Sequence, residues 1–210
     1  MSEQTGTGST PTGKTPGGRW KKIARRVRVP LGFCFAAVFL WLARPSWESM
    51  AGSLLLVLPG VWLRGYAAGY VKKNAELTVT GPYAHTRNPL YLGSMMIAFG
   101  FAAAAGSWWI LLVLAGLFLA IYMPTILSEE EYLRGKFAGF DAYAAKVPRL
   151  LPRVTPARIG PAGEAGGSFS GSLSGSFSRK LYLHHREYNA AMGAMAIYAA
   201  LAARLWYLAR

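Results

Sequence analysis

Long apolar runs alternate with short basic segments along this chain. The runs cover Val29–Ala43, Met50–Val71, Pro89–Ala105, Trp108–Leu127 and Arg186–Leu208. Runs of this length predict membrane-spanning helices, about five in all, and argue against a soluble α/β domain. Arg44-Pro45-Ser46-Trp47 ends the first run with a helix breaker and an interfacial aromatic. Only Gly106-Ser107 separates the third run from the fourth, so these two read as a tight helical hairpin whose open ends lie together. Ser128-Glu129-Glu130-Glu131 reads as the start of a new helix, and Leu133, Phe137, Phe140 and Tyr143 follow at roughly helical spacing. That pattern predicts an amphipathic helix on the membrane face, ending before Pro148 and Pro152.

The predicted fold is an all-α, polytopic membrane helix bundle of about five transmembrane helices with an interfacial cytosolic helix. Residues 1–28 read as a disordered basic tail and 29–153 as the membrane core. Residues 154–178 read as a Gly/Ser/Pro linker, and 179–210 as a carboxyl-terminal helix that spans the membrane or lies in its interface. No cleavable leader is expected, because no clear small-residue cleavage site follows the first apolar run.

Charge refines the picture. Of 210 residues, 23 are Lys or Arg and 9 are Asp or Glu, a balance that would suit nucleic acid if the basic groups shared one face of a soluble domain. They fall between the apolar runs instead, so nucleic acid is not an expected partner and membrane lipids are. The cluster Arg19, Lys21, Lys22, Arg25, Arg26 and Arg28 places the amino terminus in the cytoplasm and the chain in the inner, cytoplasmic membrane. Arg64 lies in the inner half of its run and reads first as a side chain snorkelling to the interface, with a functional intramembrane charge as the alternative. Cys34 is the lone cysteine, so neither an intrachain disulfide nor a thiolate cluster is expected. His184-His185 point different ways on a helix and have no companion ligands, so no metal site is expected.

Polar residues able to do chemistry concentrate at the start of the third run, Gly81–Tyr91, and the end of the fourth, Glu129–Glu131. The hairpin brings these two places together. Arg87 is a natural counter-charge for the carboxylates, and such a pair, partly dehydrated, orients a polar ligand. The plainer reading is an acidic first turn complementing a helix dipole, with Arg87 as a membrane anchor. Asn88-Pro89 reads as an N-cap followed by proline at the first helical position, and a helix start also offers free N–H groups to an anion. Tyr83 and Tyr91 read equally as interfacial aromatics or as pocket lining.

The string Gly81-Pro82-Tyr83-Ala84-His85-Thr86-Arg87-Asn88-Pro89-Leu90-Tyr91-Leu92-Gly93 resembles the isoprenylcysteine carboxyl methyltransferase family. So do the later Glu129–Glu131 run, Phe137, Tyr143 and Val147-Pro148-Arg149. The related phospholipid N-methyltransferases share much of this pattern, which covers roughly Lys72–Pro152. The resemblance implies a helix bundle with an S-adenosylmethionine pocket at the cytosolic side and a lateral opening for a lipidic or lipidated acceptor. It implies that Tyr83, His85, Arg87, Asn88, Pro89, Tyr91 and Glu130 border the cofactor. It also implies that Arg87 and Glu129 or Glu130 act as the catalytic pair beside the acceptor. Where Asn88 stands the family usually has His, and the Phe137 to Phe140 spacing is one residue shorter than usual.

Methyl transfer from a sulfonium needs positioning and exclusion of water rather than a metal or a nucleophilic triad. A carboxylate acceptor, the favoured one, would be oriented by Arg87; an amine acceptor would use a carboxylate such as Glu130 to take up a proton. The rival reading is a non-catalytic small transporter or assembly subunit. Its weakness is that the acids sit at a helix exit and not at mid-membrane.

Overall fold

The computed structural model describes residues 35–72, 76–158, 171–172 and 175–210. The expected tail over 1–28, the start of the first apolar run and most of the expected linker lie outside the described residues. The chain divides into two compact units, 1–41 and 42–210. In the first, the described residues belong to helix α1, which runs over 35–42. All that follows concerns the second unit.

Helix α2 spans Trp47–Ala68. Ser46 starts it with a reciprocal cap: its Oγ accepts from the Ser49 amide at 3.1 Å, and the Ser49 Oγ accepts from the Ser46 amide at 3.0 Å. After a two-residue strand β1 (Leu77–Thr78) and a 3-10 turn over Gly81–Ala84, helix α3 runs Pro89–Ala104. The hairpin tip at Gly106 has φ of +60°. A β-carbon there would sit 2.5 Å from the Arg44 carbonyl oxygen, so the tip demands glycine for both conformation and space. The Arg44 amide in turn donates to the Ala105 carbonyl at 2.7 Å, tying the tip to the start of this unit.

Helix α4 departs from expectation. It is continuous over Trp108–Lys136, 29 residues, so Ser128 begins no new helix and Glu129–Glu131 form no first turn. Nothing in Leu127–Leu133 breaks a helix, and the Ser128 hydroxyl bonds back to the Thr125 carbonyl at 2.9 Å instead of capping. At about 43 Å the helix outruns a hydrocarbon core of roughly 30 Å, which carries the carboxylates beyond the apolar layer. A π-helical turn over Phe118–Tyr122 shifts its register along the way. The chain breaks at Phe137, whose backbone is extended, and the short helix α5 (Phe140–Lys146) follows. The expected amphipathic helix is therefore two pieces. The second is folded inward: Phe137, Phe140, Tyr143 and Val147 form a buried cluster with Leu77 and Val79.

The expected linker is also partly structured. Strand β2 (Gly171–Ser172) pairs in parallel with β1, and the Phe177 ring stacks on Tyr66 with centroids 6.2 Å apart. Aromatic residues set among the Gly and Ser give that stretch apolar anchors that a plain spacer lacks. The last segment is two helices, α6 (Arg179–His184) and α7 (Tyr188–Leu208), and Tyr198 of α7 meets Ser53 of α2 at 2.6 Å.

Among the described residues α2, α4 and α7 are long and apolar enough to cross a membrane, and α3 is apolar but has only 16 residues. The chain is an integral membrane protein. Its exposed Trp47, Trp62, Trp108, Trp109 and Trp206 suit lipid contact. Helices α2 and α3 approach closely at Gly60 and Gly93, where a β-carbon on Gly60 would lie 2.9 Å from the Gly93 carbonyl oxygen.

Candidate functional site

The start of α3, the carboxylate turn of α4, and α5 enclose a cavity of about 480 Å³. Its position follows from backbone stitching. Residues 84–88 run beside 148–157: the Arg87 amide donates to Pro148, the Arg153 amide to His85 and the Ala157 amide to Ala84, each at 2.9 Å. The Thr86 hydroxyl lies 3.1 Å from the Leu150 carbonyl. The Val147-Pro148-Arg149 motif thus acts as a clamp on the Arg87-Asn88 loop.

Glu130 is the centre of the polar network, 4% exposed. Arg87 Nη1 lies 3.2 Å from its Oε2, and Arg149 approaches with Nε and Nη2 at 3.1 Å. Asn88 Nδ2 donates to Glu130 Oε1 at 3.4 Å and to the Arg149 carbonyl at 2.9 Å. Asn88 does occupy the N-cap position of α3, yet its side chain makes no cap hydrogen bond. The pull of Glu130 and of the Arg149 carbonyl accounts for this, because a charged acceptor and a buried carbonyl outcompete a helix amide. Arg87 Nε is buried and has no hydrogen-bond partner among the described residues.

Glu129, one residue earlier on α4, has a different environment. It shares the cavity wall with Tyr91, and no described basic side chain forms an ion pair with it. Tyr122, placed by the π-turn, meets the Tyr91 ring edge-on with centroids 5.9 Å apart. A carboxylate sharing a cavity wall with two aromatic rings suits a cation.

Tyr83 and Tyr143 form the floor. Burial raises both phenols well above the ordinary tyrosine value, so both stay neutral and Tyr143 remains a donor, bonding to the Tyr83 carbonyl at 2.8 Å. Tyr143→Phe leaves that buried carbonyl unpaired and is expected to lower unfolding free energy by about 1–3 kcal/mol, read from denaturant unfolding in detergent.

Of the residues singled out from the sequence, Tyr83, Arg87, Asn88, Pro89, Tyr91, Glu129 and Glu130 all line this one cavity. His85 does not; its Nδ1 faces the Arg153 carbonyl at 2.8 Å, so it helps hold the clamp. Further lining residues, among them Glu76, Ser94, Tyr122, Tyr132 and Glu187, escaped the sequence reading, and Arg64 was given another role there. Arg64 does not snorkel to water. Its Nε and Nη2 hold both oxygens of Glu187 at 3.0 Å, and its Nη1 bonds Ser94 Oγ. The available clue was that Glu187 is the one acid in 179–210, a region otherwise basic.

A helical integral membrane protein with a charged cavity at the helix ends is the class this arrangement defines. Residues 55–139 match the family model described as phospholipid methyltransferase, so the resemblance to the membrane methyltransferases holds over that segment. Curated relatives match as well. The nickel-cobalt-cadmium resistance protein NccN of Alcaligenes xylosoxydans xylosoxydans is 33% identical over 106 residues, 50% of this chain and 49% of that protein. The cobalt-zinc-cadmium resistance protein CzcN of Cupriavidus metallidurans is 32% identical over 106 residues, 50% of this chain and 48% of that protein. The chain thus spans about half the length of the curated relatives it matches. No solved structure matches it.

Proposed function

We propose that this protein transfers a methyl group from S-adenosylmethionine to a lipidic or membrane-associated acceptor at the cytoplasmic face of the membrane. The observation that supports this most is the charge layout of the cavity. Arg87, Arg149 and Glu130 together leave one net positive position, with a buried Arg87 N–H to spare, while Glu129 beside Tyr91 and Tyr122 is a negative position without a cation. A zwitterionic sulfonium needs these two positions: donors for its carboxylate and a carboxylate with aromatic rings for its cationic sulfur. The volume also lies within the range of small-molecule sites.

When bound, that donor supplies an activated methyl group on sulfur. The chain's own residues do the rest. Arg87 holds the anionic end while Arg149 offsets the charge of Glu130 beside it, Tyr91 and Glu129 hold the cationic region, and Leu90, Leu133, Phe137 and Phe140 keep water from the lining. An acceptor carboxylate needs no base; an acceptor amine would pass its proton to Glu129, the carboxylate without an ion pair. We favour the carboxylate acceptor, because it needs no proton acceptor in the cavity.

The relatives' names support a second reading, a non-catalytic membrane subunit serving metal resistance. Calorimetric titration of S-adenosylmethionine into the detergent-purified protein separates the two. Methyl transfer requires saturable binding, weakened about ten-fold or more in Glu129→Gln by loss of the carboxylate's attraction for the cation. Folded protein that binds no S-adenosylmethionine would leave the second reading standing.

A further inference from the structure

The Arg64–Ser94–Glu187 cluster is a second charged feature of the cavity wall, and the network around Glu130 does not use it. Its three members come from different elements: Arg64 from α2, Ser94 from α3, and Glu187 from the residue preceding α7, far outside the family-matched segment 55–139. The pair is largely dehydrated, with side-chain exposures of 26% for Arg64 and 12% for Glu187. Both of its fork nitrogens on one edge are taken by Glu187 at 3.0 Å, and Nη1 is taken by Ser94, whose own hydroxyl donates onward to the Leu90 carbonyl at 2.8 Å. Each of the three guanidinium nitrogens is therefore engaged within the protein.

This fork-on-fork geometry is the one by which arginine recognises carboxylate and phosphate ligands. Arg64 would be a ready anion site if Glu187 were not already in it. Lys72 is similarly matched by Glu76 at 2.9 Å. Among the described lining residues this leaves Arg87, which shares the single carboxylate of Glu130 with Arg149, as the cation not matched by an acid of its own; Arg149 itself stands outside the lining.

We propose that Glu187 is a specificity-determining residue: it occupies the anion-recognising edge of Arg64, so that this wall of the cavity rejects phosphate and carboxylate groups. The consequence deepens the methyltransferase reading and rests on it for the identity of the ligand. The part of the acceptor lying against α2 and α7 is uncharged, and an anionic group is received at Arg87 instead. A free Arg64 would offer the cavity a competing place for abundant anionic headgroups, and unproductive binding there is what the carboxylate prevents.

The test is calorimetric titration of hexyl phosphate, with hexanol as the uncharged control, into the full chain in a nonionic detergent. Glu187→Gln is expected to gain a saturable hexyl phosphate site absent from the wild type, about ten-fold or more tighter than any residual binding at that position, the size of one charge-assisted pair. Hexanol binding stays unchanged. The gain is expected to vanish in the double variant Arg64→Met with Glu187→Gln, which identifies Arg64 as its source. Ser94→Ala frees Nη1 alone and gives a smaller gain, which keeps the test open should Glu187→Gln not fold. Identical hexyl phosphate isotherms in the wild type and the folded variants, or a gain that survives loss of Arg64, would overturn the proposal. S-adenosylmethionine binding is measured on the same samples: its absence alongside an Arg64-dependent gain would remove the methyltransferase reading and leave the charge selection intact.

Discussion

Glu130→Ala is expected to abolish measurable S-adenosylmethionine binding and to destabilise the protein by about 3–5 kcal/mol, the usual consequence of removing one partner from a buried ion pair. The carboxylate receives Arg87, Arg149 and Asn88 in a space that is 4% exposed, so its removal strands a guanidinium that water reaches poorly. Arg87, with a side chain 12% exposed, contributes most of this; Arg149 at 39% is partly screened by solvent and contributes less. Because Arg149 and the Arg87 loop are held to each other through the Asn88 amide and the Pro148 carbonyl, losing Glu130 also loosens the clamp over the cavity. Glu130→Gln, which keeps shape and an acceptor, falls between wild type and alanine. The double variant Arg87→Ala with Glu130→Ala recovers part of the lost stability but none of the binding, since it removes the stranded charge along with the site. Calorimetry and thermal unfolding in detergent read both quantities. A Glu130→Ala protein with wild-type affinity would take Glu130 out of the site.

How legible this was in the sequence depends on how local each determinant is. The helices over the second to fifth apolar runs, the Gly106-Ser107 hairpin and the meeting of Arg87 with Glu130 of α4 follow from run length and loop length, which are local quantities; three of those helices are long and apolar enough to span a membrane. Ser128 followed by Glu is a starting signal only when something upstream stops the helix, and Pro124, which follows the π-turn over Phe118–Tyr122, is carried within the continuous helix instead of ending it. Asn88 was read as a cap because capping is the commonest role for Asn at that position; its actual partners, Glu130 and the Arg149 carbonyl, are forty or more residues away, at separations of 42 and 61. Arg64 shows the same limit. A lone arginine in an apolar run points either to water or to a distant acid, and the acid here is separated by 123 residues and by the stretch read as a spacer. Tyr122 was invisible for a different reason: the π-turn over Phe118–Tyr122 alters which face of α4 it occupies, and hydrophobic periodicity does not register that shift.

The seam between α2 and α3 carries the other large expected effect. An ideal β-carbon at Gly93 would sit 2.8 Å from the Gly60 carbonyl oxygen and 2.7 Å from Arg64 Cγ, and one at Gly100 would sit 2.5 Å from Val57 Cγ2. Backbone oxygen cannot move aside as a flexible side-chain end can, so a larger residue at 93 must part the two helices. Gly93→Leu is therefore expected to prevent stable folding, and Gly93→Ala to cost about 1–3 kcal/mol. The cost is not confined to packing. Arg64 lies on the α2 side of this contact and bonds Ser94, the residue next to Gly93, so parting the helices also pulls Arg64 from Ser94 and strains its hold on Glu187. Gly116→Ala on α4 supplies the comparison, because a β-carbon there meets nothing within 4 Å. That variant is expected to unfold at the wild-type temperature or slightly above it, since alanine favours a helix over glycine by up to about 1 kcal/mol. Thermal unfolding of the two alanine variants side by side in one detergent distinguishes a packing seam from a general intolerance of added carbon. A Gly93→Ala protein as stable as Gly116→Ala would mean that α2 and α3 do not need this close approach, and that Arg64 reaches Glu187 by some other support.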